Sequence, residues 1–480
     1  MAEAGMTVKK AEDFSEWYAQ VVLKSGLADY APVKGCIIFR ESSYALWEKI
    51  QDYFNKRIKE KGHKNAYFPM LIPERFLKKE AEHFKGFIPE CAWVTRGGNS
   101  PLTEMLAVRP TSETIIYVMY KKWIRSWRDL PIKLNQWCNI VRWETKATKP
   151  FLRTREFLWQ EGHTAHATSK EADKEVMDIL MIYRNLVEDY LAIPVLLGRK
   201  TESEKFAGAL YTTTLEALMP DGKALQMGTS HNLGQNFSKA FGIKFIGEDE
   251  KEHHAWQTSW GVSTRLIGAL VMTHGDDKGL ILPPKLAPIQ VVIIPIFYKE
   301  AQRETISNKV KEAYNKLKDK GIETTLDDRT EYTPGWKFNE WELKGVPIRI
   351  EIGPRDVQKG QVVAVRRDTF EKVEVKEKEI VDKVIEMLGT IQNNLLERAK
   401  KYLEDHITPV KTIAEFKKIL KKKGGFIKAS WCMNPQCEEK IKEETGATIR
   451  LIPFVKEESF STCVYCGMEA KEVVFFARAY

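Results

Sequence analysis

The sequence predicts an α+β protein in which a large antiparallel sheet with flanking helices is followed by a smaller α/β domain and then by a small cysteine-containing α/β domain. Three observations support this prediction. Strand and helix patterns alternate through residues 100–280, a proline-rich segment occupies 282–288, and four of the seven cysteines cluster in the last 50 residues. The length of 480 residues allows about two to four domains, and we place their boundaries at 1–283, 284–395 and 396–480.

The composition is typical of a globular protein, with 43% hydrophobic and 29% charged residues. The net charge of +9 permits a polyanionic partner without requiring one. No apolar run approaches the roughly 18 residues that span a bilayer, and the N-terminus lacks the apolar segment of a signal peptide. We therefore expect a cytoplasmic protein that makes no membrane contact.

The N-terminal region is predicted to begin with a helix within 10–30 and to continue with a helical apolar stripe over 40–60 that stops at Gly62. Residues 66–72 form the next predicted strand. It contains Pro69, which cannot donate to a ladder, so this strand belongs at an edge or an interface.

The first sheet is predicted from strands near 132–144, 156–166, 224–232 and 255–261, followed by a buried helix at 264–275. After the proline-rich segment, strands at 290–297, 322–326, 346–352 and 362–366 alternate with helices at 299–320 and 336–344, which indicates a mixed or parallel sheet. Residues 376–423 are predicted to be helical. Residues 397–428 contain ten Lys and Arg but only four Asp and Glu. This excess of positive charge favours a solvated helix surface, with contact to an RNA backbone as the alternative.

The most informative pattern lies at 141–163. Arg142 and Glu144 are two apart on a predicted strand and share a face, and a basic loop leads into a return strand ending Trp159-Gln160-Glu161-Gly162-His163. Arginine holds phosphate or carboxylate in a bidentate fork, and an aromatic ring can stack on a base. Such a hairpin suits a site that holds ATP next to a carboxylate substrate, although a surface salt-bridge network is the plainer alternative.

This hairpin resembles motif 2 of the class II aminoacyl-tRNA synthetases. Over nearly its full length the chain resembles the prolyl-tRNA synthetase family of archaeal and eukaryotic-like type, most specifically at 109–113, 159–163 and 228–237. The resemblance implies ATP-dependent activation of L-proline to prolyl-adenylate, release of pyrophosphate, and transfer of proline to the 3′ end of tRNA(Pro). It also implies a homodimer, built through the helix at 40–60 and the strand with Pro69.

The resemblance further implies a set of substrate-binding residues. Arg142 would bridge the α-phosphate and the substrate carboxylate, and Arg265 would hold the γ-phosphate and sandwich adenine against Phe157. The remaining residues implied for ATP and Mg²⁺ are Glu144, Arg153, Thr154, Gln226, Thr229 and Ser263. Those implied for proline, besides Arg142, are Thr111, Glu113, Trp159, Glu161, His163 and His231. Taken singly, each of these histidines fits better as a hydrogen-bonded core or turn residue, whereas the set within three matching motifs favours substrate binding.

Two features qualify the resemblance. Thr264 stands where other class II enzymes carry a glutamate in the Glu-Arg pair of motif 3. The 123 residues from Arg142 to Arg265 leave no room for the editing domain that bacterial-type prolyl enzymes insert there, so any proofreading would need a separate trans-editing protein. Whether the enzyme also activates cysteine or alanine stays open, because apolar pockets reject small analogues poorly.

The later domains carry two further predictions. By resemblance, Glu342 and Arg349 read the anticodon, although an aromatic-rich helix is more often part of a core. Cys432 and Cys437 with Cys463 and Cys466 form two pairs that would complete a tetrahedral, structural Zn²⁺ site; disulfides are the alternative. The family's C-terminal tail, here ending at Tyr480, packs back onto the body.

Three other functions would fit parts of the sequence. A class II enzyme for threonine, serine or glycine is disfavoured by the acidic 111–113 segment beside Trp159 and by the lack of zinc ligands in the first domain. A catalytically silent tRNA-binding module is disfavoured because Arg142 and Arg265 are both present. A zinc-ribbon nucleic-acid-binding protein would explain only the last 60 residues.

Overall fold

The computed structural model describes residues 5–83, 91–144, 147–297, 302–458 and 460–480. Within these ranges the helices are α1 Phe14–Lys24, α2 Glu41–Glu60, α3 Glu74–His83, α4 Glu113–Trp123, α5 Ser169–Asn185, α6 Asn236–Phe241, α7 Arg265–His274, α8 Arg303–Lys318, α9 Pro334–Leu343, α10 Pro354–Lys359, α11 Ile380–Asp405, α12 Ile413–Lys422 and α13 Pro435–Thr445.

The strands of the first region are β1 Ala28–Tyr30, β2 Ile37–Phe39, β3 Lys64–Asn65, β4 Leu71–Pro73, β5 Trp93–Gly97, β6 Ser100–Val108, β7 Ile132–Val141, β8 Glu156–His166, β9 Leu196–Arg199, β10 Tyr211–Leu218, β11 Ala224–Gly234, β12 Lys244–Ile246, β13 Glu252–His254 and β14 Trp256–Ser263. The later strands are β15 Val291–Pro295, β16 Thr324–Leu326, β17 Ile348–Ile352, β18 Gln361–Arg366, β19 Lys372–Lys376, β20 Ile407–Pro409, β21 Phe426–Trp431, β22 Thr448–Pro453 and β23 Glu472–Ala477.

The predicted α+β fold is confirmed. Strands β9, β10, β11, β14, β8 and β7 lie side by side in that order, and every neighbouring pair is antiparallel. Helices α2, α5 and α7 cover one face, where the rings of Trp47, Phe54, Tyr183 and Trp260 are almost fully buried in one hydrophobic core. The opposite face is therefore left for polar side chains.

The predicted strand at 66–72 is wrong. Only Lys64–Asn65 joins the large sheet, and Leu71–Pro73 pairs instead with β6 in a separate three-stranded sheet. Between them Phe68 is held by side chains: its N–H donates to Gln136 Oε1 at 2.5 Å, and its carbonyl accepts from Arg109 Nη1 at 2.9 Å. Because side chains satisfy these backbone groups, the segment can pass from one sheet to another without pairing.

Several strands were missed by the sequence analysis, among them β5, β6, β9 and β10 in the first region and all four strands of the C-terminal region. Strand β10 has seven buried residues in succession, so it lacks the alternation that signals a half-exposed strand. The predicted helical stretch 376–423 is broken by β20, which pairs with β21.

The second sheet has the order β16-β15-β17-β18-β19 and is mixed, as expected: β15 is parallel to β16 and β17, and the other neighbours are antiparallel. The predicted helix 299–320 is described from Arg303, and its beginning at 299–301 lies outside the described residues. The proline-rich segment is not a free linker. Leu282 and Leu286 are buried in the first core, and Leu282 N–H donates to Gly345 O at 3.1 Å.

The C-terminal region extends the large sheet. Strands β20, β21, β23 and β22 form its far end, and β22 pairs with β9 at Ile452 and Arg199. Behind this junction the buried Glu216 carboxylate binds Lys200 Nζ at 2.7 Å and Arg450 Nη2 at 3.0 Å. Among the described residues, no helix combines the length and apolar composition needed to cross a bilayer.

Candidate active site

A cavity of about 310 Å³ lies on the polar face of the large sheet. Twelve of the predicted site residues line it: Thr111, Glu113, Arg142, Phe157, Trp159, Glu161, His163, Gln226, Thr229, His231, Ser263 and Arg265. They come from the start of α4, the end of β7, strands β8, β11 and β14, and the start of α7. Segments more than 150 residues apart in sequence thus meet at one site.

Three predicted residues do not line the cavity. Glu144 and Arg153 pair with each other, with Arg153 Nε 3.3 Å from Glu144 Oε2. The buried Thr154 donates from its hydroxyl to Glu156 O at 2.6 Å. All three belong to the turn between β7 and β8, beside the cavity rather than at its wall.

Strand β8 places its side chains by simple alternation. Trp159, Glu161 and His163 point to the cavity, and Gly162 faces Trp260 on β14. A Cβ on Gly162 would lie 2.1 Å from two atoms of the Trp260 ring, so the ring occupies the space that any side chain would need.

The acidic end of the cavity contains Glu113, Glu161 and His163, all buried. His163 Nε2 is 3.0 Å from Glu161 Oε2, and Glu161 also accepts from Ser112 N–H at 3.1 Å and Gln136 Nε2 at 2.9 Å. Burial opposes ionisation of Glu161, but the hydrogen bond and charge of His163 outweigh it and lower the Glu161 pKa. Burial also opposes the charge on His163, yet the bond to Glu161 raises the His163 pKa. The two groups therefore stabilise each other as an ion pair.

Glu113 behaves differently. Burial raises its pKa, and the nearby Glu161 charge adds to the effect while His163 opposes it. The Thr111 hydroxyl donates to the Glu113 carboxylate. The pocket thus holds two carboxylates of unequal acidity, and such an arrangement can accept hydrogen bonds from a bound cation.

Two guanidinium groups, those of Arg142 and Arg265, face the other end. Arg142 Nε donates to Pro110 O at 3.2 Å, and the group lies 5.7 Å from the ring centroids of both Phe157 and Trp159. Arg265 begins α7, and its buried Nε has no hydrogen-bond partner. Burial, followed by repulsion from Arg142, lowers the Arg265 pKa to about 10. Both cations remain charged near neutrality, which suits a polyanionic ligand.

His231 lies between two hydroxyls and an aromatic ring. Its Nδ1 is 2.9 Å from Thr212 Oγ1, its Nε2 is 3.1 Å from Thr229 Oγ1, and the Phe206 ring centroid is 4.8 Å away. Burial, then the charge of His163, lowers the His231 pKa to about 3, so the ring is neutral at physiological pH.

The sequence analysis missed part of the lining. Glu204, Lys205 and Phe206, in the segment between β9 and β10, line the cavity, as do Thr212 and Ser259. The local sequence around 201–210 carries no periodic or motif signal, and β10 itself was not predicted. Only the presence of a lone aromatic in a polar loop could have drawn attention to Phe206.

The two predicted anticodon residues lie far from this cavity, on the second sheet and its helix. Arg349 Nη1 donates to Glu342 Oε1 at 2.8 Å, and Arg349 Nε donates to Glu351 Oε1 at 3.0 Å. The Arg349 guanidinium also packs 4.2 Å from the Phe338 ring centroid. The structure therefore brings Glu342 and Arg349 into direct contact.

The four clustered cysteines also converge, with all their sulfur atoms within 4.8 Å of one another. Cys432 Sγ lies 3.6 Å from Cys437 Sγ and 3.7 Å from Cys466 Sγ. A disulfide requires about 2.05 Å, whereas a tetrahedral Zn²⁺ site with bonds of about 2.3 Å has sulfur–sulfur edges of about 3.8 Å. All seven cysteines are free, so the disulfide alternative is wrong, and the donor set fits zinc.

Comparison with known proteins gives matches along most of the chain. Three family models match it: the tRNA synthetase class II core domain (G, H, P, S and T) at residues 94–274, an anticodon binding domain at 290–387, and the prolyl-tRNA synthetase C-terminal domain at 413–480. The chain is 56% identical to a proline–tRNA ligase of Natranaerobius thermophilus, in a match covering 98% of this chain and 97% of the relative. It is 52% identical to a proline–tRNA ligase of Cenarchaeum symbiosum, in a match covering all of both chains.

This chain belongs to the proline–tRNA ligase family. The class II core match spans the cavity from Thr111 to Arg265, and the anticodon-domain match spans Glu342 and Arg349. The C-terminal match contains the four cysteines. Because the core model is shared with the glycine, serine and threonine enzymes, the C-terminal match and the full-length relatives separate this ligase from those alternatives.

Proposed function

We propose that this ligase activates L-proline with ATP and then transfers proline to the 3′ end of tRNA(Pro). In the first step a proline carboxylate oxygen attacks the α-phosphorus, the bond from that phosphorus to the bridging oxygen breaks, and pyrophosphate leaves. The observation that carries the proposal is a single cavity with Arg142 and Arg265 at one end and the buried Glu113, Glu161 and His163 at the other.

The acidic end suits the secondary ammonium of proline. The carboxylate of Glu161 offers oxygens that can accept from this ammonium, and Thr111 and Glu113 supply further oxygens. Trp159 offers a flat apolar wall to the pyrrolidine ring, and His163 holds Glu161 in place through the 3.0 Å hydrogen bond. Neutral His231 adds no positive charge that would repel the ammonium.

The basic end suits the anionic partners. One fork of Arg142 would serve both the substrate carboxylate and the α-phosphate, and the unpartnered Nε of Arg265 would suit a γ-phosphate oxygen. Phe157 would stack on adenine, and Glu144 would accept from the adenine amine once it leaves Arg153. Thr154 shapes the covering loop, and the other nucleotide contacts would come from Gln226, Thr229 and Ser263.

Mg²⁺ would neutralise charge on the phosphates when ATP is bound. The protein groups themselves orient the two reactants and exclude water, which is where most of the acceleration is expected. The proline carboxylate is already ionised at neutral pH, so the first step needs no general base.

The test of this function is proline-dependent ATP–pyrophosphate exchange, screened over all twenty amino acids. We expect exchange with proline, lost in Arg142→Ala and retained in Arg128→Ala, which removes an exposed arginine outside the cavity. Exchange with no amino acid by the folded wild type would contradict the ligase proposal and favour a silent tRNA-binding module. A signal with cysteine or alanine would measure the selectivity limit of the pocket.

We further propose that Cys432, Cys437, Cys463 and Cys466 hold one structural Zn²⁺, since four protein thiolates leave no open coordination position. A reducing, cytoplasmic compartment fits the free cysteines. Elemental analysis should give one zinc per chain in the wild type and in Cys36→Ser, and none in Cys437→Ser. Equal zinc content in both variants would contradict the assignment.

The tRNA partner is proposed to bind the second sheet, where Glu342 and Arg349 would read the anticodon.

A homodimer is also proposed. It is supported by exposed apolar side chains on and beside the β4–β6–β5 sheet, including Tyr67, Leu71 and Trp93. Sedimentation should show a dimer that Leu71→Glu disrupts. The equally polar change at exposed Val455, Val455→Glu, should leave the dimer intact.

A separate trans-editing protein is also proposed. Residues 142–265 are occupied by the strands and helices that build the cavity, so the described part of this stretch holds no second hydrolytic domain. The purified chain should therefore leave the aminoacyl ester of mischarged tRNA(Pro) intact. Rapid deacylation by the wild type alone would contradict this proposal.

A further inference from the structure

An exposed pair of aromatic rings stands at the start of α9, away from the cavity. The ring centroids of Tyr332 and Trp336 are 3.9 Å apart, and the ring planes differ by 14°. Tyr332 is nevertheless 38% exposed. With one face against Trp336, the outer face and the edges of the Tyr332 ring are the parts left to account for that exposure.

The cation next to this pair does not cover that face. Arg329 Cζ lies 5.0 Å from the Tyr332 centroid and 5.4 Å from the Trp336 centroid. A guanidinium on the outer face of Tyr332 would be much farther from Trp336, so these nearly equal distances place Arg329 beside the pair. The buried Asp327 carboxylate holds Arg329 there through two hydrogen bonds of 2.8 Å, and Glu340 accepts a third. Arg329 is therefore already neutralised and fixed.

A helix cap alone would account for only part of this arrangement. Thr333 is the N-cap of α9 and its hydroxyl accepts from Trp336 N–H at 3.3 Å. A hydrophobic contact between the residue before the cap and one in the first turn is a known device for fixing the entry of the chain. That role requires an apolar side chain at position 332, and leucine would serve as well as tyrosine. It does not require a flat ring with a face open to solvent.

We propose that the outer face of Tyr332 is a stacking position for an unpaired base of the tRNA anticodon loop, with Trp336 and Arg329 fixing the ring. This inference rests on the proposed tRNA substrate. Proteins that hold single-stranded nucleic acid stack bases on aromatic side chains, and such a contact tolerates any base because every base has a π face. The site adds affinity without reading sequence.

This position differs from the one assigned to Glu342 and Arg349. Tyr332 precedes α9, and Glu342 lies near the other end of that helix. The helical rise from Pro334 to Glu342 alone is about 12 Å. A single base cannot reach both points. Tyr332 would therefore hold a nucleotide next to those read by Glu342 and Arg349.

The test compares Tyr332→Leu with Tyr332→Phe in aminoacylation of tRNA(Pro). Stacking contributions correspond to about 5- to 150-fold in affinity, so we expect the leucine variant to raise the KM for tRNA by about tenfold and the phenylalanine variant to leave it unchanged. Proline-dependent pyrophosphate exchange needs no tRNA and should be unchanged in both. Phe460→Leu, at an equally exposed aromatic of the C-terminal region, serves as the matched control.

A direct readout comes from 2-aminopurine placed in turn at each anticodon-loop position. At one position its fluorescence should be quenched on binding the wild type and Tyr332→Phe, and not on binding Tyr332→Leu. A KM within twofold of wild type for Tyr332→Leu, or an equal loss in Tyr332→Phe, would overturn the stacking proposal. Failure of the wild type itself to charge tRNA(Pro) would instead overturn the ligase proposal.

Discussion

Replacing Gly162 by alanine tests whether the back of strand β8 determines the geometry of the proline pocket. Gly162 is flanked by Glu161 and His163, which face the cavity, and it pairs directly with Trp260 on β14. A Cβ at this position would lie 2.1 to 2.2 Å from three atoms of the Trp260 ring. Real carbon–carbon contacts are about 3.5 to 4 Å, so one partner must move by more than 1 Å.

The Trp260 ring has little freedom to do so. It is 2% exposed and meets His63 edge-on at 5.3 Å and Phe54 edge-on at 6.0 Å. Ordinary overpacking by one methyl group costs about 1–3 kcal/mol. Because this clash is deep and the ring is enclosed, we expect about 3–5 kcal/mol. A backbone shift of about 1 Å beside Glu161 should also reduce proline-dependent exchange by about 100-fold.

Hydrogen exchange of the β8 and β14 amides gives the local free energy of opening, which suits a chain whose domains need not unfold together. A double-mutant cycle with Trp260→Leu isolates the clash. Trp260→Leu should lower the free energy of opening by about 2 kcal/mol less in the Gly162→Ala background than in the wild type. Gly389→Ala, where a Cβ would meet nothing within 4 Å in the interior of α11, should instead stabilise by about 0.5–1 kcal/mol. A loss below 1 kcal/mol for Gly162→Ala, or additive costs in the cycle, would refute the reasoning.

Three further predictions concern charged side chains. Arg265→Gln should lower pyrophosphate exchange by about 10²–10³-fold while the melting temperature stays equal or rises, because the substitution removes a cation whose buried Nε has no hydrogen-bond partner. A fall in both pyrophosphate exchange and melting temperature would contradict this. Burial opposes ionisation of Glu175, but its hydrogen bond with His63 helps to lower the Glu175 pKa to about 2. The ionised Glu175 carboxylate therefore stabilises the fold fully above pH 4.5, and this stabilisation declines as the pH falls toward 2. The free energy of unfolding that Glu175→Gln loses, measured with urea, should shrink between pH 4.5 and 2 and stay constant above pH 4.5. Arg367→Ala breaks the two bonds of 2.8 and 2.6 Å to Asp276 that join the second sheet to the first domain. Limited proteolysis between the domains should accelerate, and exchanging the two charges should restore part of the protection.

The catalytic region was predictable where the signal was local. Alternation along β8 predicted that Trp159, Glu161 and His163 share one face, and the structure places all three at the cavity. The apolar stripe predicted α2 almost to the residue. Both patterns repeat within a few residues, so neighbouring side chains carry the information.

The failures have one cause, which is that the decisive partner lies far away in sequence. Residues 66–72 have strand-like composition, yet Gln136 and Arg109 satisfy the backbone of Phe68 and prevent pairing there. Phe206 carries no motif, and it becomes part of the site only because it packs 4.8 Å from His231. Neither contact produces a pattern in the neighbouring sequence from which it could be predicted.

The sequence by itself determined the chemistry available to this protein: the arginines, the acidic pocket residues, the four thiols, and the α+β class. The tertiary structure alone decided that β22 pairs with β9, so that the cysteine-bearing region continues the sheet on which the cavity is built. It alone decided that Glu144 pairs with Arg153 beside the cavity, and that Tyr332 stacks on Trp336 while remaining 38% exposed. Residue type and periodicity are properties of short segments, whereas register, burial and free surface depend on which distant segments meet.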